Sequence, residues 1–171
     1  MPCFDQPDLK APFKLTCLAP SDWLVVSNEG EQRISTEEQA PEKFASLAKK
    51  FGNLSLHKMY EFPPTLPIST YLYAVMAGPY EYKADTDPNT GLPLKIYARK
   101  GLIKYVLVEE MFKITKCGLK FYEDFFGVKY PFSKYEMIFI PDHLYVAMEN
   151  VGCVTFSENK YLFVDHPASL S

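Results

Sequence analysis

Ala147-Met148-Glu149-Asn150-Val151 closely follows the apolar run Met137-Ile138-Phe139-Ile140. A carboxylate set among strand-forming neighbours is poor filler unless it meets a positive partner. The stretch reads as an edge strand presenting Glu149 to a cationic ligand, with an exposed glutamate that binds nothing as the plain alternative. The other half of a catalytic apparatus does not accompany it. No His-Glu-x-x-His occurs, and His57, His143 and His166 are never four residues apart, as a helical zinc pair requires. His166 precedes Pro167 rather than a glutamate, and adjacent Asp165 and His166 would point in different directions on a strand or a helix. Asp142-His143 reads as a pair in a surface loop. No metal site is expected within this chain.

The elements that must carry Glu149 belong to a chain of 171 residues, enough for one ordinary domain with a buried core. A net charge of −3 without a lysine cluster argues against a nucleic-acid partner. No apolar stretch approaches the ~20 residues of a membrane span. Met1-Pro2-Cys3-Phe4-Asp5 lacks the basic and apolar parts of a signal peptide, so a soluble chain is expected. Cys3, Cys17, Cys117 and Cys153 form no Cys-x-x-Cys pair and are expected to be buried free thiols. The sequon Asn53-Leu54-Ser55 keeps a secreted origin open beside a cytosolic one.

Over roughly the first hundred residues, short alternating segments are separated by turns such as Pro20-Ser21-Asp22 and Asn28-Glu29-Gly30, which predicts a β-meander. Phe44, Leu47, Ala48 and Phe51, with Pro41 before them and Gly52 after, predict one short helix packed on the sheet. The polar loop from Asp85 to Gly91 predicts a hairpin into Leu92, Leu94 and Ile96. A composition change at Lys100-Gly101 marks the expected domain boundary.

Beyond it, Val108, Met111, Phe112, Thr115, Leu119, Tyr122 and Phe126 recur at helical period, and this face is expected to be core. Gly127 stops the helix and Pro131 prevents its resumption. A strand through Tyr135, Met137 and Phe139 ends at Pro141-Asp142. A loop through His143-Leu144-Tyr145 leads to Glu149, and Cys153-Val154-Thr155-Phe156 forms a further strand. Tyr145 is expected to pack at the domain junction. Residues 71–77 and 137–140 are apolar, strand-prone windows expected to lie as open edges that promote aggregation.

Several stretches resemble the M1 family of zinc aminopeptidases, the aminopeptidase N type. They are Pro2-Cys3-Phe4-Asp5-Gln6-Pro7-Asp8-Leu9-Lys10-Ala11, Ser69-Thr70-Tyr71-Leu72-Tyr73-Ala74 with Ala77-Gly78-Pro79-Tyr80, and Gly118-Leu119 through Tyr130-Pro131-Phe132 to Lys134-Tyr135. The fourth is Ala147-Met148-Glu149-Asn150, which is similar to the family's Gly-Ala-Met-Glu-Asn exopeptidase motif. Residues 30–55 match poorly, and the helix there looks like an insertion.

The resemblance implies an α+β fold: a β-sandwich or saddle-like antiparallel N-terminal part, then a helix and a small antiparallel sheet from the start of a thermolysin-like domain. Residues 1–100 would be the C-terminal portion of the family's N-terminal β-domain, and 101–171 the incomplete beginning of its catalytic domain. Glu149 would bind the free α-amino group of a peptide substrate. The backbone of Val146, Ala147 and Asn150 would run beside the peptide as an added strand, and Met148 would line the cleft.

Two departures accompany the resemblance. Val146 stands where the motif has glycine, and a β-branched residue cannot take a positive φ or permit the same close backbone approach. The family's His-Glu-x-x-His, its third zinc ligand and its stabilising tyrosine follow this motif, so they are expected to lie outside this chain. The preferred reading is therefore a fragment of a zinc-dependent aminopeptidase that recognises peptide N-termini, holds no metal of its own and is inactive alone. The alternative is a non-catalytic relative that binds peptides or a partner through the 146–150 edge. Without the resemblance, the chain would be a β-rich interaction module.

Overall fold

The computed structural model describes residues 3–162. Packing divides the chain into two units, Met1–Pro79 and Tyr80–Ser171.

In the first unit, β1 (Lys10–Ala11) pairs with β6 (Ile68–Ser69), and β3 (Leu24–Ser27) pairs with β7 (Val75–Gly78). Between them in sequence, β2 (Thr16–Pro20), β5 (His57–Glu61) and β4 (Arg33–Ser35) form a three-stranded sheet in that order. Every pairing here is antiparallel, as alternation and frequent turns require. Ala19, Val25, Tyr60 and Phe62 make one cluster, and the Tyr60 hydroxyl donates to the Trp23 carbonyl at 2.8 Å.

Helix α1 (Pro41–Phe51) begins at the proline whose φ suits a first turn and ends before Gly52, at φ +85°. Its Phe44 is fully buried against Leu54 and Met59. Phe51, expected on the same face, is exposed.

The second unit is one five-stranded sheet in the order β11, β12, β10, β9, β8, with β8 at Tyr80–Thr86, β9 at Pro93–Arg99, β10 at Tyr135–Ile140, β11 at Ala147–Met148 and β12 at Cys153–Ser157. Helix α2 (Val108–Phe126) connects β9 to β10, and a short helix, α3 (Glu158–Tyr161), follows β12.

The α+β class holds, but this sheet is mixed rather than antiparallel. The outer pairs β8/β9 and β11/β12 run antiparallel, while β10 runs parallel to both β9 and β12. A hairpin cannot join parallel neighbours, and α2 supplies the crossover. The apolar run in β10 follows from this position: Met137, Ile138 and Phe139 are buried because the strand is covered on both faces and paired on both sides. Residues 137–140 are thus no open edge, whereas Val75–Gly78 pairs with β3 alone in a two-stranded sheet and has a strand partner on one side only among the described residues.

The break in packing does not coincide with the composition change at Lys100-Gly101. The β8–β9 hairpin pairs into the sheet of β10, so the break in packing falls between Pro79 and Tyr80.

Helix α2 stops where expected, at Gly127 in the left-handed region, whose N–H donates to the Glu123 carbonyl at 2.9 Å. Phe112 packs with Leu94, Ile96, Ala98, Met137 and Phe139 to form the core. Only the first part of the expected apolar face is covered: Tyr122 and Phe126 are exposed, as are Phe121 and Phe125.

Candidate functional site

β11 is the terminal strand of its sheet. Ala147 and Met148 pair with Phe156 and Thr155, and the Val146 carbonyl accepts the Ser157 N–H at 3.0 Å. The opposite side of β11 has no strand partner among the described residues, so its free backbone groups can accept an extended chain. Val146 does not adopt a positive φ; among the described non-glycine residues only Asp142 does. The conformational objection to valine in place of glycine therefore does not apply at this position.

Glu149 follows β11 directly and is exposed. Among the described residues nothing hydrogen-bonds or ion-pairs with its side chain. It immediately precedes a tight turn, Asn150 to Cys153, closed by the Cys153 N–H donating to the Asn150 carbonyl at 3.0 Å, with Gly152 at φ +64°. Such a φ suits glycine, which lacks a Cβ.

Two sets of polar contacts hold this turn. On the first side, the Tyr145 N–H donates to His143 Nδ1 at 3.1 Å, so the neutral ring carries its proton on Nε2. That nitrogen lies 3.0 Å from Thr155 Oγ1, and the threonine hydroxyl donates onward to Asn150 Oδ1 at 3.3 Å. Asn150 is therefore a buried anchor, not a surface contact. His143, expected as a surface loop residue, ties the loop to β12. Tyr145, expected to pack, is exposed with its ring beside His143.

On the second side lies a charged cluster that the residue pattern did not reveal. Lys134 and Glu136 are 4% and 3% exposed. The Lys134 ammonium donates to Glu136 Oε2 at 2.5 Å and to the Gly152 carbonyl at 2.9 Å. The Glu136 N–H reaches the same carbonyl at 3.2 Å. Glu136 Oε1 accepts from the Tyr97 hydroxyl at 3.2 Å and lies 3.5 Å from the Lys95 ammonium. Cys153 adjoins this cluster, and its burial pushes the thiol up to about 12, with smaller opposing effects from Lys134 and Glu136. It is an inert thiol at neutral pH.

Further along the sheet, Arg99 forks onto the fully buried Glu158, with Nε 2.9 Å from Oε1 and Nη2 2.6 Å from Oε2. This joins the end of β9 to the start of α3.

No metal site is assembled among the described residues: three or more histidine, cysteine, aspartate or glutamate side chains never converge. His143 has both ring nitrogens engaged, and Asp165 and His166 lie outside the described residues. The described side chains do not fit a zinc ion. All four cysteines are free thiols, but only Cys153 is buried; Cys3 and Cys117 are exposed and Cys17 lies between, against the expected burial of all four. No helix among the described residues is long and apolar enough to cross a membrane.

Two family models match the chain: the Peptidase M1 N-terminal domain over residues 1–72 and the Peptidase family M1 domain over residues 110–171. Among curated relatives, an Aminopeptidase N of Streptomyces lividans is 34% identical over 162 residues, covering 94% of this chain and 16% of the relative. Aminopeptidase M1-C of Oryza sativa subsp. japonica is 34% identical over 170 residues, 99% of this chain and 17% of the relative. An Aminopeptidase N of Rattus norvegicus is 29% identical over 170 residues, 99% of this chain and 16% of the relative. The chain thus spans about one sixth of the length of these relatives.

Proposed function

Because this chain belongs to peptidase family M1, we propose that the β11 edge and Glu149 receive the free amino terminus of a peptide, as part of an aminopeptidase. The two units would correspond to the family's N-terminal β-domain and the beginning of its catalytic domain. The family models leave residues 73–109 unmatched, and the break in packing falls within that gap.

One observation carries the reading. Glu149 is an exposed carboxylate without a cation among the described residues, set between the end of a terminal strand and a turn that is itself anchored. An exopeptidase must reject internal peptide bonds, and only a chain terminus offers an ammonium. A charge-assisted hydrogen bond is worth about 1.5 to 3 kcal/mol, which favours a free terminus by about ten- to a hundredfold. Val146, Ala147 and Met148 would pair with the peptide backbone as an added strand and set its register, with Met148 beside the first side chain. Asn150 would keep the turn in shape from inside.

The family is zinc-dependent, and the metal supplies activation of the attacking water. The described residues do not form that site, so this stretch contributes recognition and is expected to hydrolyse nothing by itself. The second reading is a non-catalytic binder using the same 146–150 edge. It draws on Val146 in place of the motif glycine.

The test is a titration of the 171-residue chain with a short peptide and with its N-acetylated form. The free amine is expected to bind about tenfold or more tightly, and E149Q to remove that preference. Equal affinity of the native chain for both peptides would end the proposal.

A further inference from the structure

Exposure leaves Glu149 without side-chain support among the described residues, so the direction of its carboxylate depends on its backbone, held between the end of β11 and the Asn150–Cys153 turn that follows. One carbonyl of that turn, Gly152 O, receives two donors: the Glu136 N–H of β10 at 3.2 Å and, from the residue just before β10, the Lys134 ammonium at 2.9 Å. The first is an ordinary rung between parallel strands, where Glu136 stands opposite Cys153. The second is not. A buried ammonium is costly, and a buried ion pair seldom adds net stability over apolar side chains of the same size. What an ammonium adds is direction, because its several protons can bind two acceptors together. Lys134 uses them to join the Glu136 carboxylate, fixed in turn by Tyr97 and Lys95, to a glycine carbonyl. Gly152 sits at φ +64°, and a residue without a Cβ there leaves the turn free to change its peptide orientation unless the carbonyl is held.

We infer that Lys134 is a positioning residue for Glu149: by clamping the Gly152 carbonyl to the buried Glu136, it fixes the turn that directly follows Glu149 and, through that backbone, the direction of the exposed carboxylate. The inference rests on the reading of Glu149 as the acceptor of a peptide ammonium. Lys134 touches no substrate in this arrangement and acts only through the turn. Val146–Met148 are held separately, by β12. Losing the clamp should therefore disorient the carboxylate and leave the added-strand contacts in place.

The test compares the 171-residue chain with K134M, K134R and the double variant K134M/E136M, which removes both buried charges together and so avoids stranding either one. Each is titrated with the free-amine peptide and its N-acetylated form. In K134M and K134M/E136M the preference for the free amine is expected to fall to about threefold or less, with affinity for the acetylated peptide unchanged. A general loss of structure would instead weaken both peptides together. K134R, whose guanidinium can span both acceptors, is expected to recover part of the preference.

Amide exchange gives a second readout that needs no ligand. The Cys153 N–H, which closes the turn, should exchange faster in K134M/E136M while the other β12 amides keep their protection. If either apolar variant keeps the full preference, or the Cys153 amide keeps its protection, the positioning role is wrong. If the native chain shows no preference but the Cys153 amide loses protection selectively, the turn clamp stands and the amine-binding reading falls.

Discussion

The central strand β10 and the terminal strand β11 belong to one sheet and treat a glutamate in opposite ways. Glu136, paired on both sides and covered on both faces, is almost without solvent and is held by two lysines and a tyrosine. Glu149, just past the end of β11, is exposed and has no such company among the described residues. Position in the sheet decides this difference. An interior carboxylate must be given cations and donors by its own chain, because burying it bare is prohibitive. At an edge, water does that work, and the charge stays available to something from outside. One acid is spent on structure, and the other can be spent on recognition.

The largest effect should come from breaking the interior arrangement. E136A leaves the Lys134 ammonium buried without its counter-ion and should cost about 3 to 5 kcal/mol, read as a shift in the urea unfolding midpoint. E149A should change stability by no more than about 0.5 kcal/mol. Equal costs for the two substitutions would abolish the distinction.

The same distinction divides α2. Phe112 is 3% exposed in the core cluster, whereas Phe125, on the last turns, is 70% exposed. F112A should cost about 3 to 5 kcal/mol, and F125A less than about 0.5 kcal/mol. A large loss for F125A would mean that the aromatic end of the helix is covered in solution.

That division of α2 also marks how far the sequence could be read. The helix was legible from its period and from Gly127, and α1 from Pro41 and Gly52, because caps and periodicity are local signals. Period identifies a face, however, and cannot say whether anything lies upon it: Tyr122 and Phe126 have the right spacing and stay exposed. The parallel pairing of β10 is not legible in the sequence for a related reason. Strand partners are set by contacts far apart in sequence, and an apolar run alone fits many of them.

The edge strand at Glu149 was visible as an acid in an apolar setting, but its supports were not. Lys134 and Glu136 lie two residues apart, which puts them on one side of a strand. An acid and a base so placed beside Met137-Ile138-Phe139 were the available signal for a buried ion pair. The boundary near residues 100–101 followed composition, which does not register that the β8–β9 hairpin completes the sheet of β10.

A third carboxylate sharpens the contrast with the smallest expected effect. Asp87, in the hairpin loop between β8 and β9, is buried like Glu136, but its described partners are neutral donors. The Thr90 hydroxyl donates to its Oδ2 at 2.6 Å, and the Asn89 N–H donates to Oδ1 at 3.2 Å. The Thr90 hydrogen bond, reinforced by Asn89 and opposed by burial, holds the carboxyl below its ordinary range. A carboxyl depressed in the folded state stabilises the fold above its unfolded pKa of about 3.9, and that contribution disappears as pH falls through the lower folded value. T90A removes the leading cause and should cost about 1 kcal/mol at pH 7. The difference between T90A and the native chain should then shrink as unfolding is measured at successively lower pH below about 4. A difference that is constant across that range would mean that the ionised form of Asp87 is not what Thr90 stabilises, and that burial among neutral donors affects a carboxylate no differently from exposure.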